Sequence, residues 1–295
     1  MSPGTFAIVL FAAALHATWN AIVKSGGVKN GSVKNGGAGN DPWLTTVTIA
    51  MAGAALSALG LVVAGAPAAA SWPYIAASSL LEVVYFALVA ASYRHGDMSV
   101  VYPLMRGIAL GLVALGGVAI VGEPLGWHAW LGIAAIVAGV LGMAAASHRR
   151  LGATGALLAL ATGAAIAGCT LIDGLGVRHA GGRAGAAAAY TLTIFLANGI
   201  ALGLWAGTRR RRALVAHARR GWPLGLVGGT GMVGAYGLTL WAMTGAPVAM
   251  VAALRETSIL FALAISGLVL RERVGPARVV LAGGIAAGAI LLRLG

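Results

Sequence analysis

Apolar runs of membrane-spanning length follow one another along nearly the whole chain, separated by short breaks of Gly, Pro and basic residues. A hydrocarbon layer of roughly 30 Å needs about 20 residues of helix. Windows of that kind fall at 4–24, 43–65, 72–92, 98–121, 125–146, 154–177, 186–208, 221–243, 247–270 and 274–293. With 59% hydrophobic and 9% charged residues in 295, no soluble core could hide so much apolar side chain. One stretch, 24–41, has no apolar face: it is rich in Gly, Asn and Lys, and its Val28-Lys29-Asn30-Gly31 returns as Val33-Lys34-Asn35-Gly36. It is expected to be a flexible loop that tolerates shortening.

An echo at a spacing of 149 residues divides this series in two. Gly96, Arg106, Glu123, Gly126, Ile136, Ala138 and Gly139 recur without a gap as Gly245, Arg255, Glu272, Gly275, Ile285, Ala287 and Gly288. The basic break Ser147, His148, Arg149 and Arg150 lies between the copies. The expected fold is therefore an all-α polytopic membrane protein, with ten transmembrane helices in two five-helix repeats at 1–147 and 151–295. An odd number of spans inverts the second repeat relative to the first, an arrangement that lets one site face either side in turn.

Charge orients the series. The loops on the N-terminal side and the C-terminus hold only Arg178, Arg183 and Arg293. The opposite side collects Lys24, Lys29, Lys34, Arg94, Arg149, Arg150, Arg209 to Arg212, Arg219, Arg220, Arg271 and Arg273. By the positive-inside rule that side is cytoplasmic and both termini are not. The net charge of +13 is thus a matter of membrane orientation, and no nucleic-acid partner is expected. A single cysteine, Cys169, excludes an internal disulfide and a Cys-rich metal site. The first span lacks a basic leader and carries His16, Trp19 and Asn20, so a cleavable signal is not expected.

Ionisable groups inside the spans cost at least a few kcal/mol in hydrocarbon and need a partner, a wet cavity or an interface, so function is sought there. Tyr102 and Arg106 share a helical face, with Arg106 roughly 12 Å into span four; Arg255 holds the same position in span nine. Inversion brings the two arginines toward the membrane centre, where they either bind an anionic or zwitterionic substrate or serve structurally, with Glu256 or helix-end carbonyls as partners. Glu82, with Tyr85 on the same face of span three, can carry a proton, contact substrate or form an ion pair. Its repeat equivalent is Gly231, so the halves differ chemically. His16, Trp19, Asn20 and Lys24 form a polar stripe on span one. Asp173 in span six lines the pathway or pairs at its span's end, with Arg178 as one partner. Glu123 and Glu272 read as turn or cap residues before the next helix. Gly203 and Gly207, Gly225 and Gly229, and Gly284 and Gly288 give the small-xxx-small spacing of close helix packing.

These features together resemble the drug/metabolite transporter superfamily, in its ten-span branch with two EamA-type repeats. The resemblance rests on His16-Ala17-Thr18-Trp19-Asn20, Tyr102-Pro103-Leu104-Met105-Arg106, Gly122-Glu123-Pro124-Leu125, Leu254-Arg255-Glu256 and Arg271-Glu272-Arg273, in this order around the repeat. It covers nearly the whole chain except 24–41. It implies a multi-pass secondary transporter in the plasma (inner) membrane of a prokaryotic cell, exporting or exchanging a small polar or zwitterionic metabolite by alternating access. It also implies a pathway lined by helices one, three, four, six, eight and nine. That comparison nominates His16, Asn20, Glu82, Tyr85, Tyr102, Arg106, Asp173, Tyr236 and Arg255, to which the polar stripe adds Trp19. Glu82, Asp173 and His16 are the candidates for proton coupling. Expected partners are membrane lipid, a small metabolite and protons, with the chain acting as a monomer and with no cofactor or metal. No P-loop for nucleotide hydrolysis and no H-E-x-x-H occur, and the carboxylates are scattered singly, so an enzyme is not expected. A non-transporting scaffold is the other alternative, because buried polar residues also glue helices.

Overall fold

Without water in the hydrocarbon layer, backbone N–H and C=O groups must pair within the chain, and apolar segments of this length do so as helices. The computed structural model describes residues 1–29, 42–147, 151–269 and 275–294, and among them there is no strand. The helices are α1 (Pro3–Lys29), α2 (Pro42–Ala64), α3 (Trp72–His95), α4 (Met98–Ala119), α5 (Trp127–Ala145), α6 (Ala153–Arg178), α7 (Ala186–Met243), α8 (Val248–Arg255), α9 (Ser258–Ala264) and α10 (Pro276–Leu294). Among the described residues nine helices are long and apolar enough to cross a membrane, with α8 and α9 counted as one run.

Local chemistry sets several boundaries. The Asp97 side chain accepts the Ser99 N–H at 2.9 Å and starts α4. Pro103 lies in the opening turns of that helix. Gly122, with φ at +74°, turns the chain after α4 in a conformation that favours glycine. Trp72 and Trp127 open α3 and α5 as exposed indoles at helix ends.

Three features refine the sequence expectation. Helix α1 continues to Lys29, so the 24–41 segment begins as helix; its remainder, 30–41, lies outside the described residues, as do His148 to Arg150 and Glu272. The ninth span is broken into α8, α9 and a π-helical turn, Ile265–Val269. The spans expected at 186–208 and 221–243 lie on two helical arms of α7 that meet at a kink at Arg210, where φ is −143° and ψ is 39°.

That long helix is not straight. A Cβ placed on Gly199 would meet Ala54 and Ala50, and one on Gly60 would meet Leu192, so the first arm runs antiparallel to α2. On the second arm, Gly225 faces Thr48, Gly228 faces Ile49 and Gly229 faces Gly53, so this arm runs parallel to α2. One stretch of α2 therefore lies between two points of α7 that are 30 residues apart, which in a straight helix would be about 45 Å. The chain reverses around its basic segment 209–220, and glycines let both arms approach α2 closely.

Helices α5 and α10 meet antiparallel through a reciprocal contact. A Cβ on Gly139 would lie 2.7 Å from Ile285 Cγ1, and one on Gly288 would lie 2.7 Å from Ile136 Cγ1. Ile136 and Gly139 are the 149-residue partners of Ile285 and Gly288, so each copy of the motif packs on the other, as across a two-fold axis. Gly139→Leu and Gly288→Leu are each expected to cost about 1–3 kcal/mol through overpacking, and by similar amounts. Thermal melts in detergent check both the loss and the equality. The core around this contact includes Val113, Ile133, Leu240, Val251 and Leu254, and it joins residues from both halves of the chain.

Candidate functional site

The run from Val248 to Leu268 tightens just where its charged residues lie. Helix α8 ends at Arg255; the Glu256 and Thr257 amides bond three residues back, to Ala253 and Leu254, and the Thr257 hydroxyl donates to the Leu254 carbonyl at 2.7 Å. Such tightened turns close a helix. The tightened turn falls eight residues into the run, or roughly 12 Å from its start, so Arg255 and Glu256 sit deep within it.

Arg106 of α4 reaches this turn. Its Nε donates to Glu256 Oε2 at 3.1 Å and its Nη2 donates to Glu256 Oε1, a two-pronged pair whose side chains are 14% and 5% exposed. Arg255, its repeat partner, is treated differently. Its guanidinium lies 5.8 Å from the centre of the Tyr236 ring, and its Nε is buried without a hydrogen-bond partner among the described residues. The half-buried Arg255 side chain is also within electrostatic reach of Glu256 and Asp173, but neither carboxylate gives its Nε a hydrogen bond. Arg255 is thus less fully hydrogen-bonded than Arg106.

The carboxylates gather on the other side of Tyr236. Asp173 of α6 is fully buried, and each of its oxygens accepts a phenol: Oδ1 from Tyr190 at 3.1 Å and Oδ2 from Tyr236 at 2.5 Å. Glycine at 176 makes this possible, because a Cβ there would lie 2.2 Å from the Tyr190 hydroxyl. Glu82 of α3 accepts from Asn198 Nδ2 at 2.9 Å and is within electrostatic reach of Asp173. Tyr85 is within electrostatic reach of Glu82, Arg106 and Tyr102, and His16 of α1 is within reach of Arg106 and Arg255. The result is one polar cluster with a guanidinium pole and a carboxylate pole, bridged by tyrosines and drawn from α1, α3, α4, α6, both arms of α7 and α8.

Of the residues nominated from sequence, His16, Glu82, Tyr85, Tyr102, Arg106, Asp173, Tyr236 and Arg255 come together in this cluster. Asn20 does not join it through a recorded bond: it is exposed and donates to the His16 carbonyl of its own helix at 2.7 Å. Trp19 lies edge-on to His16, and its Nε1 is buried without a hydrogen-bond partner among the described residues. Trp19 also explains why the repeat is asymmetric at Glu82. A Cβ on Gly231, the equivalent position, would lie 2.5 Å from Trp19 Cβ, so the second repeat uses this position for packing α7 on α1. Tyr190 and Asn198 are additional members. An asparagine inside the apolar run 186–208 is itself a signal of a polar partner, whereas nothing in the local sequence of Tyr190 points to Asp173.

Arg178 pairs with Glu123 and not with Asp173. Its Nη2 reaches Glu123 Oε1 and donates to the Ala246 carbonyl at 3.0 Å, while its Nε donates to the Met243 carbonyl at 2.8 Å. Glu123 Oε2 accepts the Val248 N–H at 2.8 Å, so Glu123 caps α8, which carries Arg255, and not the helix that follows Glu123 in sequence. Glu123→Ala strands both the guanidinium and this amide, and it is expected to cost about 1–3 kcal/mol. Glu123→Gln retains an acceptor for the amide and should lose less, a difference that melting in detergent measures.

Residues 153–294 match the EamA-like transporter family. No curated protein matches the chain. A solved structure titled "Crystal structure of protein" aligns over 100% of this chain and 99% of its own, at 16% identity and a TM-score of 0.69, a likeness of fold.

Proposed function

We propose, from the match of residues 153–294 to the EamA-like transporter family and the many apolar helices, that the chain is a multi-pass membrane transporter of the drug/metabolite transporter kind that exports or exchanges a small zwitterionic metabolite by alternating access. The observation that carries the proposal is Arg255, a half-buried cation at a tightened helical turn whose buried Nε has no hydrogen-bond partner among the described residues, with Tyr236 between it and the carboxylates Asp173 and Glu82. An anionic group bound at Arg255 and an ammonium bound toward the carboxylates would complete both poles.

The reversal of α7 supports ten crossings, and the reciprocal contact of α5 with α10 supports two inverted repeats. In that arrangement the two halves rock about the central cluster, and cargo bound there meets one side at a time. Glu82, Asp173 and His16 are the groups proposed to couple a proton, since a carboxylate that loses its cationic partner on cargo release can take up a proton instead. The concentration of arginines around the α7 reversal orients that side toward the cytoplasm of a prokaryotic cell, with both termini outside.

The test is counterflow into proteoliposomes preloaded in turn with amino acids, phosphonates, nucleosides and other small metabolites, with and without a pH gradient. Saturable counterflow of a zwitterionic class, lost in Arg255→Ala, is the expected result. Absence of flux across the panel with folded protein would favour a scaffold, and chemical conversion of a substrate would favour an enzyme.

A further inference from the structure

The two arginines of the repeat are equivalent in sequence but not in their partners. Arg106 has both prongs of its guanidinium occupied by Glu256, whereas Arg255, next in the chain to that same glutamate, has an unpartnered Nε and an aromatic face. Glu256 is buried, its two oxygens are committed to Arg106, and it sits at the tightened turn after α8. The residue one repeat earlier than Glu256 is Gly107, which packs on Leu141 and carries no charge. One glutamate therefore stands beside two equivalent arginines, and both of its oxygens bond Arg106.

We infer that Glu256 is a specificity-determining residue that sets the charge of the cargo: by neutralising Arg106 it leaves Arg255 as the guanidinium available in the cluster, so the site accepts a ligand with one anionic group and does not reward a second. This assignment rests on the reading of the cluster as the cargo site. A dianion gains no second guanidinium unless it displaces Glu256, which would leave that carboxylate buried without its partner. A monoanion meets Arg255 alone and leaves the Arg106–Glu256 pair intact. Removing the charge of Glu256 exposes a second guanidinium beside the first and shifts selection toward dianions.

The experiment uses the purified full chain and phenylglyoxal, an arginine-directed reagent, with modification of each arginine read by peptide mass spectrometry and with acetate and malonate as competing mono- and dicarboxylate. In the wild type, Arg255 is expected to react at least tenfold faster than Arg106, and acetate and malonate to protect it at concentrations within about threefold of each other. In Glu256→Gln, Arg106 is expected to react at least tenfold faster than before, and malonate to protect at a tenfold lower concentration than acetate. Equal reactivity of the two arginines in the wild type, failure of either anion to protect Arg255, a tenfold preference for malonate in the wild type, or an unchanged Arg106 in Glu256→Gln would each overturn the assignment. The wild-type arm is decisive even where the variant folds poorly. Labelling and protection are read without flux, so failure here is distinguishable from an absence of counterflow, which bears on transport itself.

Discussion

Replacing Arg106 by alanine is expected to destabilise the protein by about 3–5 kcal/mol, because it leaves Glu256 buried with neither its charge partner nor its two hydrogen bonds. The size of the effect comes from the stranded carboxylate more than from the lost pair. The double replacement Arg106→Leu with Glu256→Leu removes both charges and fills similar volume, so it should recover most of that stability. Thermal melts in detergent of the two single variants and the double variant form the cycle that checks this. Additive losses in the double variant would show that the pair is not the unit that matters.

Arg255 should behave in the opposite way. Replacement by methionine strands no hydrogen-bonded group and removes a half-buried cation whose buried Nε has no hydrogen-bond partner among the described residues. The melting temperature of Arg255→Met is therefore expected to stay at or above the wild-type value. Transport should nevertheless fall steeply: losing the partner of a buried ligand anion costs about 2–5 kcal/mol, or roughly 30- to 5,000-fold in affinity. Stability retained with flux lost is the pattern of a residue kept for its ligand at a cost to the fold. A matched collapse of folding and flux would instead make Arg255 a structural residue. Arg106 and Arg255, equivalent at the 149-residue spacing, are thus expected to separate completely in their effects on melting.

The cluster was partly legible in the sequence, for a physical reason. Charged and phenolic groups are rare in apolar runs because hydrocarbon penalises them, so Glu82, Arg106, Asp173 and Arg255 stand out one by one. Their partners do not stand out. The pairing of Asp173 with Tyr190 and Tyr236, of Glu82 with Asn198 and of Arg178 with Glu123 joins residues 17 to 116 positions apart. No local pattern distinguishes Glu82 bonded to Asn198 from Glu82 bonded to Arg106, since both satisfy the same requirement for a polar neighbour. The expectation that Glu123 serves the following helix illustrates the limit: its position in the chain suggests a local cap, while its carboxylate is spent on the start of α8, more than a hundred residues later.

The amino-acid sequence by itself determined that this chain is helical and membrane-embedded, because lipid leaves an apolar run of some 20 residues few other ways to pair its backbone. It also carries the echo at a spacing of 149 residues. Only the tertiary structure decided that 186–243 folds back along both sides of α2, that the repeat motifs on α5 and α10 pack on each other, and that Glu256 neutralises one of two equivalent arginines. Those outcomes depend on which helix faces approach closely enough to touch. That is settled by glycines meeting backbone and side chains on other helices, a contact that no stretch of sequence contains on its own.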